Sequence, residues 1–330
     1  MAHQDTVALP ERYSLRHARD QDAQPILALI AAYDHSFSVE SGGYSEVDIR
    51  EGWANLDQER NTWAIIAPDG ALAAYGEVTD QGFGKLVADG YVHPDHRGKG
   101  LGATLARLME SRARELVDAA PEGAQVTLFN GVLLLDQAAR DLLERDDYSI
   151  ARVFWEMRIV LSEQPPMPEP PASLRLRAFV PGQDERAVFD TVEAAFADHW
   201  EHTPRDFDEW LSRTRRPDFD PTLWLLLETA DGVIPAVALG WMRAENGWIS
   251  TVATRREWRG QGLASTLLRA SFHAFWGHGM RAVALGVDSQ NPTGATHVYE
   301  AAGMSVASSA VIYQKMLRPG VDLATNAARA

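Results

Sequence analysis

His96-Arg97-Gly98-Lys99-Gly100-Leu101-Gly102-Ala103-Thr104-Leu105 returns 162 residues later (259 − 97 = 162) as Trp258-Arg259-Gly260-Gln261-Gly262-Leu263-Ala264-Ser265-Thr266-Leu267. A second match, Leu15-Arg16 with Leu176-Arg177, keeps nearly the same offset, 161 (176 − 15). Self-similarity at one spacing is the mark of a duplicated unit. At 330 residues the chain is long enough for two domains, each with its own core.

The two copies are separated by Ser162-Glu163-Gln164-Pro165-Pro166-Met167-Pro168-Glu169-Pro170-Pro171. Five prolines in ten residues exclude a helix or a central strand and predict a semi-rigid extended linker. The expected organisation is an N-terminal domain over 1–162, a linker over 163–173, a C-terminal domain over 174–318 and a flexible tail over 319–330. Each half opens on a strand (13–18; 174–178), followed by a helix with apolar spacing: Ile26, Leu29, Ile30 and Tyr33, then Val188, Val192, Ala195 and Phe196. Strand-like runs follow at 62–67 and 72–78, and at 223–228 and 236–243. The glycine-rich turn and an amphipathic helix come next, the second helix running over 263–277. A strand (125–129; 282–287), a helix and a last strand close each half. Alternating strands and helices with some hairpins predict an α/β fold with a mixed sheet and flanking helices.

Composition narrows the partners. The formal net charge of −15 argues against a nucleic-acid phosphate backbone and leaves a cationic small molecule the more comfortable partner. There is no cysteine, hence no disulfide, thiolate metal site or Cys nucleophile. The N-terminus lacks the apolar core of a signal peptide, and no run approaches about 20 apolar residues. The expectation is a cytoplasmic protein, monomer or homodimer, acting on no membrane.

An Arg-Gly-x-Gly-x-Gly/Ala turn between strand and helix has a physical use. Glycine tolerates positive φ and close backbone approach, and the following helix presents unpaired N–H groups that favour a pyrophosphate. Gly98-Lys99 is followed by Gly100, which excludes a P-loop. The spacing Gly98-x-Gly100-x-Gly102 excludes the dinucleotide fingerprint.

Val92-His93-Pro94-Asp95-His96-Arg97-Gly98-Lys99-Gly100-Leu101-Gly102 resembles the acetyl-CoA motif of the GNAT N-acetyltransferase superfamily, R/Q-x-x-G-x-G/A preceded by V-x-P. The second copy fits from Arg259 onward and departs before it, with Thr254 where Val stands and Arg256 in place of Pro94. Val283–Val287, Asp288-Ser289-Gln290-Asn291-Pro292 and Ala295-x-x-x-Tyr299-Glu300-Ala301-Ala302-Gly303-Met304 resemble a further segment of the family. The tandem arrangement is similar to that of the mycothiol synthase family. The resemblance covers most of the chain and implies two tandem acyl-CoA N-acyltransferase folds. It also implies an acetyl group moved from acetyl-CoA to a primary amine by direct attack in a ternary complex. It implies that the strand before each motif (Val92; Val252 and Thr254) and the main chain of Arg97–Thr104 and Arg259–Thr266 cradle pantetheine and pyrophosphate. Asn291 would bond the pantetheine arm. Tyr299 would protonate the leaving thiolate, a role a neutral, directional phenol suits.

The halves differ at this point. Aligning Glu300–Gly303 with Glu144–Asp147 places Leu143 opposite Tyr299 (299 − 143 = 156), and no Asn-Pro pair follows Phe129. The N-terminal half is therefore read as cofactor-binding at most and the C-terminal half as catalytic. Set against these favoured roles, the plainer readings are Tyr299 as a helix residue packing on the sheet and Asn291 as an ordinary turn residue. For a general base the sequence offers Glu245, Glu193, Asp198, His199 and His202 without choosing, and a water relay is equally open. His199 and His202 have helical spacing but no third ligand, so no metal is expected. Trp200, Trp210, Trp224, Trp241, Trp248 and Trp258 divide between core and an acceptor pocket, with the acidic stretch 198–208 a candidate for holding an ammonium. A non-catalytic acyl-CoA sensor and a tRNA-dependent aminoacyl transferase are the competing functions. Intact Asn291 and Tyr299 speak against the first, and the acidic balance against the second.

Overall fold

In the computed structural model of the protein, residues 9–39, 44–54, 56–197, 205–243, 246–291 and 294–323 are described. The first repeat runs β1 (Ser14–Arg16), α1 (Ala23–His35), α2 (Glu46–Ala54), α3 (Gln58–Asn61), β2 (Thr62–Ile66), β3 (Leu72–Asp80), β4 (Lys85–Val92), α4 (Leu101–Leu116), β5 (Val126–Leu133), α5 (Gln137–Arg145) and β6 (Ser149–Val160). The second runs β7 (Leu174–Ala178), α6 (Glu185–Phe196), α7 (Phe207–Ser212), β8 (Trp224–Thr229), β9 (Ala236–Arg243), β10 (Asn246–Thr254), α8 (Leu263–Gly277), β11 (Ala282–Asp288), α9 (Ala295–Ala301) and β12 (Ser305–Arg318). The expected α/β class with a mixed sheet and flanking helices is what the chain adopts, and α8 has the bounds its apolar spacing predicts.

The closing strands change places. One compact unit is formed by residues up to Arg152 with Ala310–Leu323, and another by Val153–Ser309. In the first, the strand order is β1-β2-β3-β4-β5-β12, and β12 lies antiparallel to β5, with Tyr313 opposite Asn130. In the second it is β7-β8-β9-β10-β11-β6, and β6 lies antiparallel to β11, with Met157 opposite Leu285. The units therefore part at residues 152/153 and not at the proline-rich segment. That segment has no helix or strand, and its Pro165 carbonyl bonds His273 Nδ1 of α8 at 2.8 Å. The expected tail is tied down at its start: Val321 bridges Ala124, and its carbonyl accepts from Gln125 N at 2.8 Å. Residues 324–330 lie outside the described residues.

Both sheets are covered on two faces. In the first unit Leu101, Leu105 and Met109 of α4 bury one face, while Ile26, Leu29 and Ile30 of α1 with Trp53 cover the other. In the second, Leu263, Leu267, Leu268 and Phe275 of α8 oppose Val188, Val192 and Ala195 of α6. The α8 packing explains two strand glycines: a Cβ on Gly247 would stand 2.5 Å from the Phe275 ring, and one on Gly240 2.8 Å. Trp210, Trp224 and Trp241 form a buried aromatic cluster, tilted and edge-on, with centroids 5.6 and 5.8 Å apart, so these three are core and not pocket wall. Trp200 lies outside the described residues.

Candidate functional site: paired clefts at the glycine turns

In each unit a parallel strand pair stops early. β4 pairs β5 only from Lys85↔Thr127 to Ala88↔Asn130, although β4 runs on to Val92 beside β3. β10 pairs β11 only from Gly247↔Val283 to Ile249↔Leu285, although β10 runs on to Thr254 beside β9. Beyond the split, main-chain N–H and C=O groups face a gap instead of a strand. Such groups require partners, which is what an extended amide-bearing ligand can offer.

The turn closes the narrow end of each gap. A 3-10 turn, Pro94–His96 or Arg256–Trp258, leads into glycines with left-handed backbone: Gly98 at φ 74° and Gly100 at 80°, Gly260 at 77° and Gly262 at 75°. The replacement of Pro94 by Arg256 leaves that geometry unchanged. Gly100 and Gly262 cap α4 and α8 without any side-chain cap, which leaves the first helical N–H groups for a ligand. A Cβ on any of these four glycines would meet no protein atom within 4 Å. The space beside them is open, as a cradle for a diphosphate requires.

The second cleft, of about 330 Å³, gathers Val252, Thr254, Arg259, Gly260, Gly262, Leu263, Ala264, Ser265 and Tyr299. Gln261 and Thr266 lie on the turn and first helical turn but outside the lining; the Thr266 hydroxyl donates to the Gly262 carbonyl at 3.2 Å. Asn291 is not brought to the lining either, and its N–H closes a turn on the Asp288 carbonyl at 3.0 Å. Tyr299 is 8% exposed, and burial pushes its phenol up to about 12, which keeps it protonated at neutral pH. Trp258, one of the tryptophans offered as pocket candidates, lines the cleft, and Phe196, Ala195, Ala253, Ala295 and Val298 complete the wall.

The first cleft, of about 530 Å³, gathers Val92, Arg97, Gly98, Gly100, Leu101, Gly102 and Ala103. Thr104 is buried behind the turn, and Lys99 turns outward, its Nζ 3.0 Å from the Tyr13 hydroxyl and 3.3 Å from the Asp95 carbonyl. Sequence reasoning missed five polar residues here: Tyr33, Asn130, Asp136, Asp141 and Arg145. Tyr33 donates to Asp136 at 3.0 Å, and Asp136 caps α5 through Ala139 N at 3.0 Å. Burial, reinforced by Asp136, raises the Tyr33 phenol. Asn130 is 7% exposed, and its side chain makes no hydrogen bond among the described residues. A lone Asn inside the apolar run Val126–Leu133 was the available signal.

In both turns the arginine side chain holds a neighbouring helix. Arg97 Nη2 donates to Ser36 Oγ at 2.7 Å and lies 4.5 Å from the Phe37 centroid, while Arg259 Nη2 donates to the Ala195 carbonyl at 2.9 Å. The main chain is thus left for the ligand.

The helix ends fix which residues correspond. Tyr148 N bonds Leu143 O at 3.0 Å, as Met304 N bonds Tyr299 O at 3.0 Å, and left-handed Asp147 stands where Gly303 does. Leu143, buried against the first cleft, therefore occupies the position of Tyr299. Among the suggested bases, Glu245, Asp198, His199 and His202 lie outside the described residues. Glu193 Oε2 accepts from Arg205 N at 3.4 Å. Among the described residues no group of three or more His, Asp or Glu side chains is placed to hold a metal, and no helix is long and apolar enough to cross a membrane.

Two splayed sheets, each with a glycine turn aimed down the split, define a tandem of acyl-CoA-dependent acyltransferase folds. The chain belongs to the acetyltransferase (GNAT) family, whose pattern matches residues 26–145 and again 186–304. Mycothiol acetyltransferase from Thermobispora bispora is 32% identical over 251 residues, covering 73% of this chain and 79% of that protein. The mycothiol acetyltransferase of Kineococcus radiotolerans is 34% identical over 258 residues, 74% and 78% of the two chains. Among solved structures, a GCN5-related N-acetyltransferase from Sphaerobacter thermophilus superposes with a TM-score of 0.83 at 39% identity, covering 96% of this chain and 100% of that one. A tandem GNAT protein from the clavulanic acid biosynthesis pathway shares the fold with a TM-score of 0.68 at 16% identity, covering 94% and 100%. The protein is an N-acetyltransferase with acetyl-CoA as its donor.

Proposed function

We propose that the protein moves the acetyl group of acetyl-CoA to a primary amine of a small molecule by direct attack in a ternary complex, in the second unit. Acetyl-CoA supplies an activated acyl group and a thiol leaving group. The chain supplies the rest. Main-chain N–H groups from Gly260 to Ser265 and the open face of the α8 N-terminus hold the diphosphate, and the unpaired edge of β10 from Val252 to Thr254 holds the pantetheine. The same edge offers N–H groups to the oxyanion of the tetrahedral stage. Asn291, at the turn after β11, is the proposed partner of the pantetheine arm once that arm is seated.

The observation that carries the reading is Tyr299. It is a buried phenol whose pKa is pushed up to about 12, standing in the cleft wall with the glycine turn. A group that stays protonated at neutral pH beside the thioester sulfur is suited to hand its proton to the departing thiolate. The mycothiol acetyltransferase relatives, about 30% identical, support a small-molecule acceptor. We place the protein in the cytoplasm as a monomer or homodimer, with neither nucleic acid nor membrane as partner.

The test is Tyr299→Phe in an amine-dependent assay of CoA release. The proton-donor role requires kcat to fall by about 10²-fold, within the usual range for losing a general acid, with acetyl-CoA affinity retained. An unchanged kcat would overturn it.

A further inference from the structure

The face of the first sheet under α1 and α2 carries chemistry that the donor site does not use. On β3 and β4, Tyr75 stands opposite Tyr91 and Glu77 opposite Asp89. Residues two apart on a strand share a face, and Tyr75 packs in the cluster of Ile26, Leu29 and Trp53, so all four point towards the helices. Trp53 Nε1 donates to the Tyr75 hydroxyl at 2.9 Å and to Glu77 Oε2 at 3.3 Å, and Tyr75 in turn donates to Glu77. Asp89 has no such support: its carboxylate accepts no hydrogen bond among the described residues. No cation faces it. The charged and titratable groups acting here are Glu77 on Asp89, and Asp89, Tyr44, Asp34 and Tyr33 on Tyr91.

Two carboxylates directly opposite each other destabilise a strand pair, so an uncompensated pair marks a place where a cation is expected. The patch adjoins the first cleft. Gly90, next to Asp89, lines it, as does Tyr33, whose ring meets Tyr91 edge-on at 5.5 Å. Asn130 supplies an independent sign that this cleft takes a ligand. It is a nine-tenths buried amide, without a hydrogen-bond partner among the described residues, in the wall of the glycine-turn cavity.

We propose that the first unit is a second acetyl-transfer site, with its acceptor ammonium seated between Glu77 and Asp89 and Asp89 as its general base. The proposal shares with the function above only that the chain is an acetyltransferase; it adds a site in the half read from sequence as cofactor-binding. Asp89 takes one proton from the ammonium. The neutral nitrogen then bonds to the thioester carbonyl carbon and the carbon–sulfur bond breaks. The sulfur leaves with the bonding pair and takes the second nitrogen proton, and Asp89 later returns its proton to solvent. No phenol stands at Leu143 to assist, but a thiol of ordinary pKa about 8.5 is a competent leaving group unaided. Glu77, held by Tyr75 and Trp53, orients the ammonium. Burial, then the charge of Glu77, pushes the Asp89 carboxyl up to about 7, which suits a base working near neutrality.

The experiment uses the full chain, acetyl-CoA, and glucosamine, 1,4-diaminobutane and glycinamide as amines, with CoA release and product mass as readouts. Gly262→Asp disables the donor turn of the second unit and Gly100→Asp that of the first; the double variant gives the background. The inference requires Gly262→Asp to release CoA above the double variant with at least one amine. It also requires Asp89→Asn in that background to lower the rate by about 100-fold and to abolish a rise in rate with pH centred near 7. Glu77→Gln in the same background should raise KM for the amine more than it lowers kcat. Equal rates in Gly262→Asp and the double variant, or a rate indifferent to Asp89→Asn, overturn it. Failure of the second-unit reading appears separately, as equal rates in Gly100→Asp and the double variant.

Discussion

Where the first unit has Tyr75, Glu77, Asp89 and Tyr91, the second has Val237, Leu239, Thr251 and Ala253 at the same cross-strand positions. At the end of the short helix the asymmetry reverses, with Leu143 in the first unit and Tyr299 in the second. Between these two points the units are alike to a few degrees of φ in the glycines and in the early end of the parallel pair. The donor half of each site is built from main chain, whose geometry tolerates little change except at the cost of the cradle. The acceptor half is built from side chains on a strand face, which can be exchanged without touching the sheet. The first is kept in both units and the second differs, so that one unit carries a carboxylate pair on its strand face and the other a buried phenol at its short helix.

The change that would break the likeness of the two donor halves most completely is an aspartate at the capping glycine. Gly262→Asp forces a side chain into a left-handed position and sets a negative charge where the helix N-terminus favours an anion. Acetyl-CoA affinity at that unit should fall by at least about 100-fold, or about 2.7 kcal/mol. Gly100→Asp should do the same to the first unit only. Calorimetry checks both through the stoichiometry: two sites in the parent chain, one in each variant. A parent stoichiometry of one would show that only one turn still binds, and the variant that abolishes the remaining heat would name it.

These glycines were also the most legible part of the sequence. Glycine adopts positive φ far more readily than other residues, so the repeated glycine pattern marked both turns, and apolar periodicity gave α8 its bounds. The exchange of β6 and β12 was not legible. An alternating strand carries the same pattern whichever sheet edge receives it, so the pattern says that β6 is a strand and nothing of its partner. Asp89 and Glu77 were missed for a related reason: twelve residues apart in sequence, they become neighbours only through the β3/β4 register. Asn291 is a different case: its local pattern was strong, and the backbone turn on Asp288 places it beside the cavity lining and not in it.

A smaller effect separates the two strand faces by stability. Because the Asp89 carboxyl is raised to about 7 in the folded chain, the folded state holds its proton after an unfolded chain, near pH 4, has lost it. The native state then binds more protons, so this group's contribution to stability declines as pH climbs from about 4 to about 7 and is level above. The raised pKa of Glu77, also due to burial, acts in the same direction. Asp89→Asn keeps the shape and removes the charge, so it should raise Tm at pH 8 by a few degrees and leave Tm at pH 4 nearly unchanged. Thermal melts of the two proteins at both pH values check it, and an equal difference at the two would contradict the assigned titration. Thr251→Asn, at the matching place in the second unit, should show no such pH dependence.

The smallest expected effect concerns Lys99, whose counterpart in the second repeat is Gln261. A lysine inside a glycine turn invites a reading as a phosphate ligand, and the motif presents it as one of the cradle residues. Its ammonium is instead engaged on the outer side by the Tyr13 hydroxyl and the Asp95 carbonyl, and it does not line the cleft. If the diphosphate is held by main-chain N–H groups in both units, Lys99→Gln should change acetyl-CoA affinity at the first unit by less than about three-fold, the scale of an exposed, screened charge. The small loss should vanish between low and physiological salt, because the remaining interaction is through solvent. A ten-fold loss that persists at high salt would mean that Lys99 swings inward on binding. The two turns would then hold the donor differently, one through a charged side chain and the other through main chain alone.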